Sequence, residues 1–109
     1  MEIKFKSDKY KKFRVGYSRL LDISCGKCSE HLFFYQKDGP GILKRMYLDR
    51  IFDSEKYSGN EKSSLMSIPQ LICSKCNTVI GIPYIYEKEN RLAYRLFVGG
   101  VVKKIIKSK

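Results

Sequence analysis

The residues with the clearest chemistry are four cysteines, all of them in two Cys-x-x-Cys pairs, Cys25-Gly26-Lys27-Cys28 and Cys73-Ser74-Lys75-Cys76. Two intervening residues let a tight turn aim both sulfurs at one point while backbone N–H groups approach the thiolates. Two such turns facing each other complete a tetrahedral site, and the expected ligand is one Zn²⁺ ion per chain. Iron takes the same donor set, and Cys-x-x-Cys pairs also do redox chemistry. A thioredoxin-type pair, however, opens a helix in an α/β unit; both pairs here lie between strand-like segments, and that mechanism has no place for a second matching pair. Four thiolates leave no position for water or substrate, so the expected zinc is structural. Lys27 and Lys75, inside the pairs, and His31, three residues after Cys28, are candidates to support the sulfurs by charge or hydrogen bond.

No catalytic constellation stands beside the cysteines. His31 is the only histidine, and with every thiol committed to metal it has no nucleophile to activate. Asp38-Gly39-Pro40-Gly41 has the composition of a phosphate-cradling loop but lacks the Gly-Lys-Ser/Thr ending, and a hairpin turn accounts for it. Lys44, Arg45 and Arg50, with Asp49, make a candidate recognition strip beside that loop; the alternative is an exposed strand face on which Asp49 and Glu55 partly balance the cations.

The elements that must position these residues read as strands. Residues 2–6 and 13–17 alternate polar and apolar, 20–24 leads into the first cysteine pair, and 31–37 (HLFFYQK) follows it. The turn at 38–41 then predicts a hairpin in which 42–52 (ILKRMYLDRIF) is the returning strand, although its apolar residues also fit a short helix. Residues 53–64 (DSEKYSGNEKSS) are polar without a hydrophobic period and read as a surface loop. Residues 65–72, interrupted by Pro69, lead into the second pair; 78–86, a turn at 87–90 and 91–98 make a second hairpin. After Gly99-Gly100, residues 101–106 (VVKKII) either close a sheet or form one helical turn. The expected architecture is therefore one all-β domain over residues 1–109, with small antiparallel sheets in which two hairpins join at a Zn(Cys)₄ site.

Length, composition and charge agree with this reading. At 109 residues, with 43% hydrophobic and 30% charged residues, the chain is long enough for one modest core and is not a disordered tail. No apolar run approaches the roughly 18–20 residues of a membrane helix, residues 1–20 hold no signal-type hydrophobic region, and the expected location is cytoplasmic. The net charge of +11 is concentrated at the ends, with +5 over residues 1–19 and +4 over residues 101–109. Lys9, Lys11, Lys12, Arg14, Lys103, Lys104 and Lys107 are the candidate contacts to RNA or DNA. Interleaved with Tyr10, Phe13 and Tyr17, the first segment has the ingredients for a single strand, and the same letters describe a lysine-guarded edge strand.

Over roughly residues 20–98 the chain resembles the β-tent zinc fold of yippee proteins, the cereblon ligand-binding domain and methionine-R-sulfoxide reductases. The likeness rests on Cys25, Cys28, Cys73 and Cys76, their wide separation, and the stretch CSKCNTVIGIPYIYEKENRLAYRLF. It implies two antiparallel sheets pinned at their apex by zinc, with the four cysteines as ligands. The reductases need a further nucleophilic cysteine and the ligand-binding relatives a tryptophan cage; this chain has neither, and Tyr84, Tyr86 and Tyr94 are the aromatics left to line a smaller pocket. The functional expectation is a non-enzymatic zinc module that serves as a nucleic-acid or ribonucleoprotein accessory. The alternative is a protein-interaction or small-ligand adaptor using a pocket between the sheets, and an enzyme with an unidentified catalytic group is third.

Overall fold

The computed structural model describes residues 18–39, 42–54, 56–58 and 64–106. They form two four-stranded antiparallel sheets and no α-helix. In the first sheet, strand β1 (Ser18–Cys25) and strand β2 (His31–Asp38) make a hairpin around the first cysteine pair. Alternation decides which side faces in: Leu21, Ile23 and Cys25 of β1 and Phe33 and Tyr35 of β2 are buried in the core. In the second sheet, β5 (Leu71–Ile72), β6 (Val79–Tyr86) and β7 (Arg91–Leu96) form the equivalent arrangement around the second pair. The hairpin expected over 78–98 is thus present, and Leu71, Ile80 and Tyr94 seal it onto the core. Residues 101–106 are β8 (Val101–Ile106), a strand rather than a helical turn, paired along β1 from Cys25↔Val101 to Leu20↔Ile106. The strands expected at 2–6 and 13–17 lie outside the described residues.

The segment 42–52 departs from its expected single strand. Residues Arg45–Tyr47 form β3, which pairs with β7 in the second sheet; Leu48–Arg50 make a 3₁₀ turn; Ile51–Phe52 form β4, which pairs with β2 in the first. The reason is in the burial pattern. Met46, Tyr47 and Leu48 are consecutive buried residues, which a period-two strand cannot place on one face, so the turn rotates the chain from one sheet to the other. The turn also corrects the recognition strip. Arg50 is only 1% exposed, and its Nε donates to Asp38 Oδ2 at 3.0 Å.

The polar segment 53–64, described at residues 53, 54, 56–58 and 64, contributes one side chain to the core. Tyr57 is 6% exposed and packs edge-on against both Phe33 and Tyr94, with ring centroids 6.0 Å from each. Its hydroxyl donates to the Ile72 carbonyl at 3.2 Å and accepts from the Ile72 N–H at 3.2 Å. One aromatic in an otherwise polar segment has no period to betray it, yet it plugs the space between the sheets.

At the ends of β2 and β6 remote from the cysteines, the sheets are tied by ions. Asp38, at the end of β2, pairs with Arg50; Arg50 Nη1 lies 3.5 Å from Asp49; Asp49 accepts from Arg91 at 2.7 Å; and Arg91 reaches Glu89 at 2.9 Å. Gln36 and Ser18 also donate to Asp38 Oδ1, at 2.8 and 2.6 Å. Breaking one member of a buried pair leaves its partner desolvated, which costs far more than losing a surface ion pair. Asp38→Asn should therefore lower unfolding free energy by about 3 kcal/mol, read from the urea midpoint. Lys44→Gln, at an exposed site, is expected to leave that midpoint within the measurement error.

Candidate metal centre

The two cysteine turns are built alike, hydrogen bond for hydrogen bond. In the first, the Cys25 N–H donates to Glu30 O at 2.8 Å and Ser29 N–H donates to Cys25 O at 2.9 Å. In the second, Cys73 N–H donates to Thr78 O at 3.0 Å and Asn77 N–H to Cys73 O at 2.8 Å. Ser29 and Asn77 both take the left-handed backbone, with φ of 67° and 62°, which closes each turn after its second cysteine. The strands entering the turns match as well. Ile23↔Phe33 and Ser24↔His31 in the first hairpin correspond to Leu71↔Gly81 and Ile72↔Val79 in the second, with the same register shift in each. An offset of 48 residues, Cys25 to Cys73, superimposes every one of these positions.

The turns face each other across the gap between the sheets. All four Sγ atoms lie within 4.8 Å of one another, and two of the approaches join opposite turns: Cys25 to Cys76 at 3.6 Å and Cys28 to Cys73 at 3.5 Å. Those separations are far above a disulfide bond of about 2.05 Å. They lie close to the edge of about 3.8 Å that a tetrahedron with metal–sulfur bonds of about 2.3 Å requires. The four cysteines are positioned to bind a metal ion. Two of the sulfurs have a polar group beside them: Lys27 N–H donates to Cys25 Sγ at 3.4 Å, and Thr78 Oγ1 lies 3.1 Å from Cys76 Sγ. The Thr78 hydroxyl, followed by its backbone N–H, lowers Cys76 to about 6. At Cys28 the Glu30 N–H pulls the other way, but burial and hydrogen bonds from the other three sulfurs outweigh it and raise the thiol to about 12.

Compared with protein-family models, curated proteins and solved structures, the chain has no significant match. The roles of its residues therefore rest on their own geometry.

The turn from β7 to β8 leans on the first cysteine turn. Gly26 N–H donates to Gly100 O at 2.9 Å, and Phe97 N–H donates to Ile80 O at 3.0 Å, so residues 97–100 bridge both sheets beside the sulfurs. A Cβ at Gly26 would sit 2.0 Å from Gly99 O, a backbone atom that cannot move without moving β8. Ser74, the equivalent residue of the second turn, is exposed.

The other sequence candidates are placed as follows. Lys27 and Lys75 are exposed, and the contact seen between Lys27 and sulfur runs through its backbone N–H. His31 directs Nδ1 to Asp22 Oδ1 at 2.7 Å and packs its ring on Phe34, so its observed partner is a carboxylate and not a thiolate. Lys103 and Lys104 are exposed on β8, with Lys104 opposite Asp22. Lys9, Lys11, Lys12, Arg14 and Lys107 lie outside the described residues. Thr78 was not among the candidates, although its place two residues after a second cysteine puts its amide on the thiolate, as Glu30 does in the first turn.

The two equivalent positions allow a paired test. Gly26→Ala should displace the 97–100 turn, lower the melting temperature and weaken metal retention against a competing chelator. Ser74→Ala should change neither, and equal effects of the two substitutions would contradict the packing described.

Proposed function

We propose that the chain is a non-enzymatic binding module built around one structural zinc ion held by Cys25, Cys28, Cys73 and Cys76. The observation that carries this reading is the convergence of four thiols, two from each sheet, within 4.8 Å. When bound, zinc supplies charge neutralisation and a closed tetrahedral node, with no position left for substrate. Its lack of a geometric preference of its own suits a site whose shape is set by two backbone turns. Free thiols in place of disulfides fit a reducing compartment, in keeping with a cytoplasmic location. No helix among the described residues is long and apolar enough to cross a membrane. Two antiparallel sheets with cysteine turns at their tips are what the resemblance to the β-tent fold leads one to expect. That likeness brings the scaffold and not the reductase activity, because no cysteine remains outside the cluster.

The partner we assign is polyanionic, a nucleic acid met alone or in a ribonucleoprotein. Support comes from the net charge of +11 and from Lys103 and Lys104 standing exposed on β8. The adaptor reading has its own observation: a cleft of about 590 Å³ beside the second cysteine turn, lined by His31, Ser54, Lys56, Tyr57, Ser74 and Asn77 among others. Tyr84, Tyr86 and Tyr94 do not line it. Tyr94 is wholly buried with its hydroxyl on Pro69 O, and Tyr84 and Tyr86 lie on the opposite face of the second sheet from Tyr94.

Elemental analysis of the purified protein should find one zinc per chain. Cys25→Ser and Cys73→Ser should each abolish stoichiometric metal and the cooperative thermal transition, because structural zinc contributes on the order of 10 kcal/mol to folding. Iron in the site, or a folded protein without metal, would overturn the zinc assignment. Methionine-sulfoxide reduction by the intact protein with a thiol reductant would overturn the non-enzymatic one.

A further inference from the structure

The second sheet turns one face toward the core, with Met46, Leu71 and Tyr94, and the other outward. The outward residues follow from the register. Ile82, Arg95 and Arg45 form one row across β6, β7 and β3; Tyr84, Ala93 and Tyr47 form the next; Tyr86 and Arg91 form the third, and of these Ala93, Tyr47 and Arg91 are buried while Arg45, Arg95, Tyr84 and Tyr86 reach solvent. The first row thus sets two arginines side by side, and the tyrosines lie in the rows beside it. Arg45 Nε donates to Tyr84 Oη at 3.0 Å while its guanidinium carbon lies 4.1 Å from the Tyr86 ring centre. Arg95 lies 5.0 Å from the Tyr84 ring and Arg91 3.7 Å from the Tyr47 ring. Tyr47 and Tyr86 meet edge-on at 5.9 Å.

Within this surface, Arg45 and Arg95 break a local rule. They are direct cross-strand partners, and like charges in that position repel. Arg91 is neutralised by Asp49 and Glu89, but among the described residues no carboxylate pairs with Arg45 or Arg95. Tyrosine faces hold the two guanidinium groups in place without cancelling their charge. A sheet that keeps two opposed, uncompensated cations on a bed of aromatics is arranged for an anion that also carries flat rings. Resting on the polyanion reading above, we propose that the outer face of β3, β7 and β6 is the binding surface for single-stranded nucleic acid. Arg45 and Arg95 take adjacent phosphates, and Tyr84 and Tyr86, with the guanidinium planes laid on them, stack against bases. Duplex is disfavoured because its bases are already stacked on one another. This places the contact on the folded sheet instead of the basic termini.

The test titrates a 12-nucleotide oligouridine, the matching DNA strand and a 12-base-pair duplex into the 109-residue chain. Fluorescence anisotropy gives affinity, and quenching of intrinsic tyrosine emission, undisturbed by any tryptophan, reports stacking. The wild type should prefer single strands. Arg45→Gln combined with Arg95→Gln should lower affinity about tenfold or more and flatten the salt dependence by about 1.4 log units per log salt, two phosphates at about 0.7 each. Tyr84→Leu should remove the preference over duplex. Arg95→Glu, at an exposed position, repeats the measurement should the double variant lose its metal or its thermal transition. Single-strand binding unchanged in the arginine variants but lost in Lys103→Gln with Lys104→Gln would overturn the face and leave the polyanion reading standing. No binding to any oligonucleotide at about 20 mM salt, where phosphate contacts are strongest, would overturn both. Polyglutamate competing as well as oligouridine, with Tyr84→Leu silent, would reassign the face to acidic polypeptides and overturn the nucleic-acid assignment.

Discussion

The whole arrangement depends on four sulfur atoms from opposite sheets being brought within 4.8 Å of one another. Sulfur that close to sulfur is unfavourable in two ways, since protonated thiols gain little from one another and thiolates repel. A cation at the centre would convert the repulsion into a cross-link between the sheets. Much of the chain is organised to deliver the sulfurs there. Both hairpins enter their turns through the same register shift, both turns close through a left-handed residue, and both point backbone N–H groups at sulfur. The symmetry stops at Gly26, where the 97–100 turn occupies the space that Ser74 has free on the other side.

A second clamp, of different chemistry, lies at the other end of the sheets. The series Asp38, Arg50, Asp49, Arg91 and Glu89 joins the end of β2 to the start of β7 through the 3₁₀ turn at Leu48–Arg50. Between the two ends of the sheets sits an apolar core in which the ring of Tyr57 meets those of Phe33 and Tyr94. Neither sheet covers the other fully: Ile85 and Ile105, on the inward faces, remain partly in solvent. A chain of this size has a modest core, so ties at both ends do what buried area would do in a larger domain.

How much of this could be read from the letters varies with the kind of information each residue carries. The cysteine pairs were legible because metal geometry dictates their spacing, and β1, β2, β6 and β7 were legible because alternation survives in a half-buried strand. The 42–52 segment was not, because its apolar residues serve two sheets in turn and satisfy no single period. Arg50 looked like a surface cation because burial of charge is decided by a partner, Asp38, twelve residues away. Tyr57 was hidden by its polar neighbours, and Thr78 by being an ordinary strand residue until its distance to Cys76 is known. The 48-residue offset leaves little trace in the side chains, since Gly26 and Ser74, Ile23 and Leu71, Phe33 and Gly81 share positions but not residue types.

The pairing of β8 along β1 sets an order on how the first sheet is completed during synthesis. Cys25 and Val101, cross-strand neighbours, are 76 positions apart in sequence. Made from its amino end, the chain produces β1 and β2 early and closes their hairpin locally, yet one edge of β1 stays open until β8 has been added. Throughout that interval the nascent domain carries an exposed strand edge beside a half-finished pair of thiols, and both are closed by residues made much later. Gly26 joins the two events: the amide next to Cys25 finds its acceptor, Gly100, only when the final strand arrives.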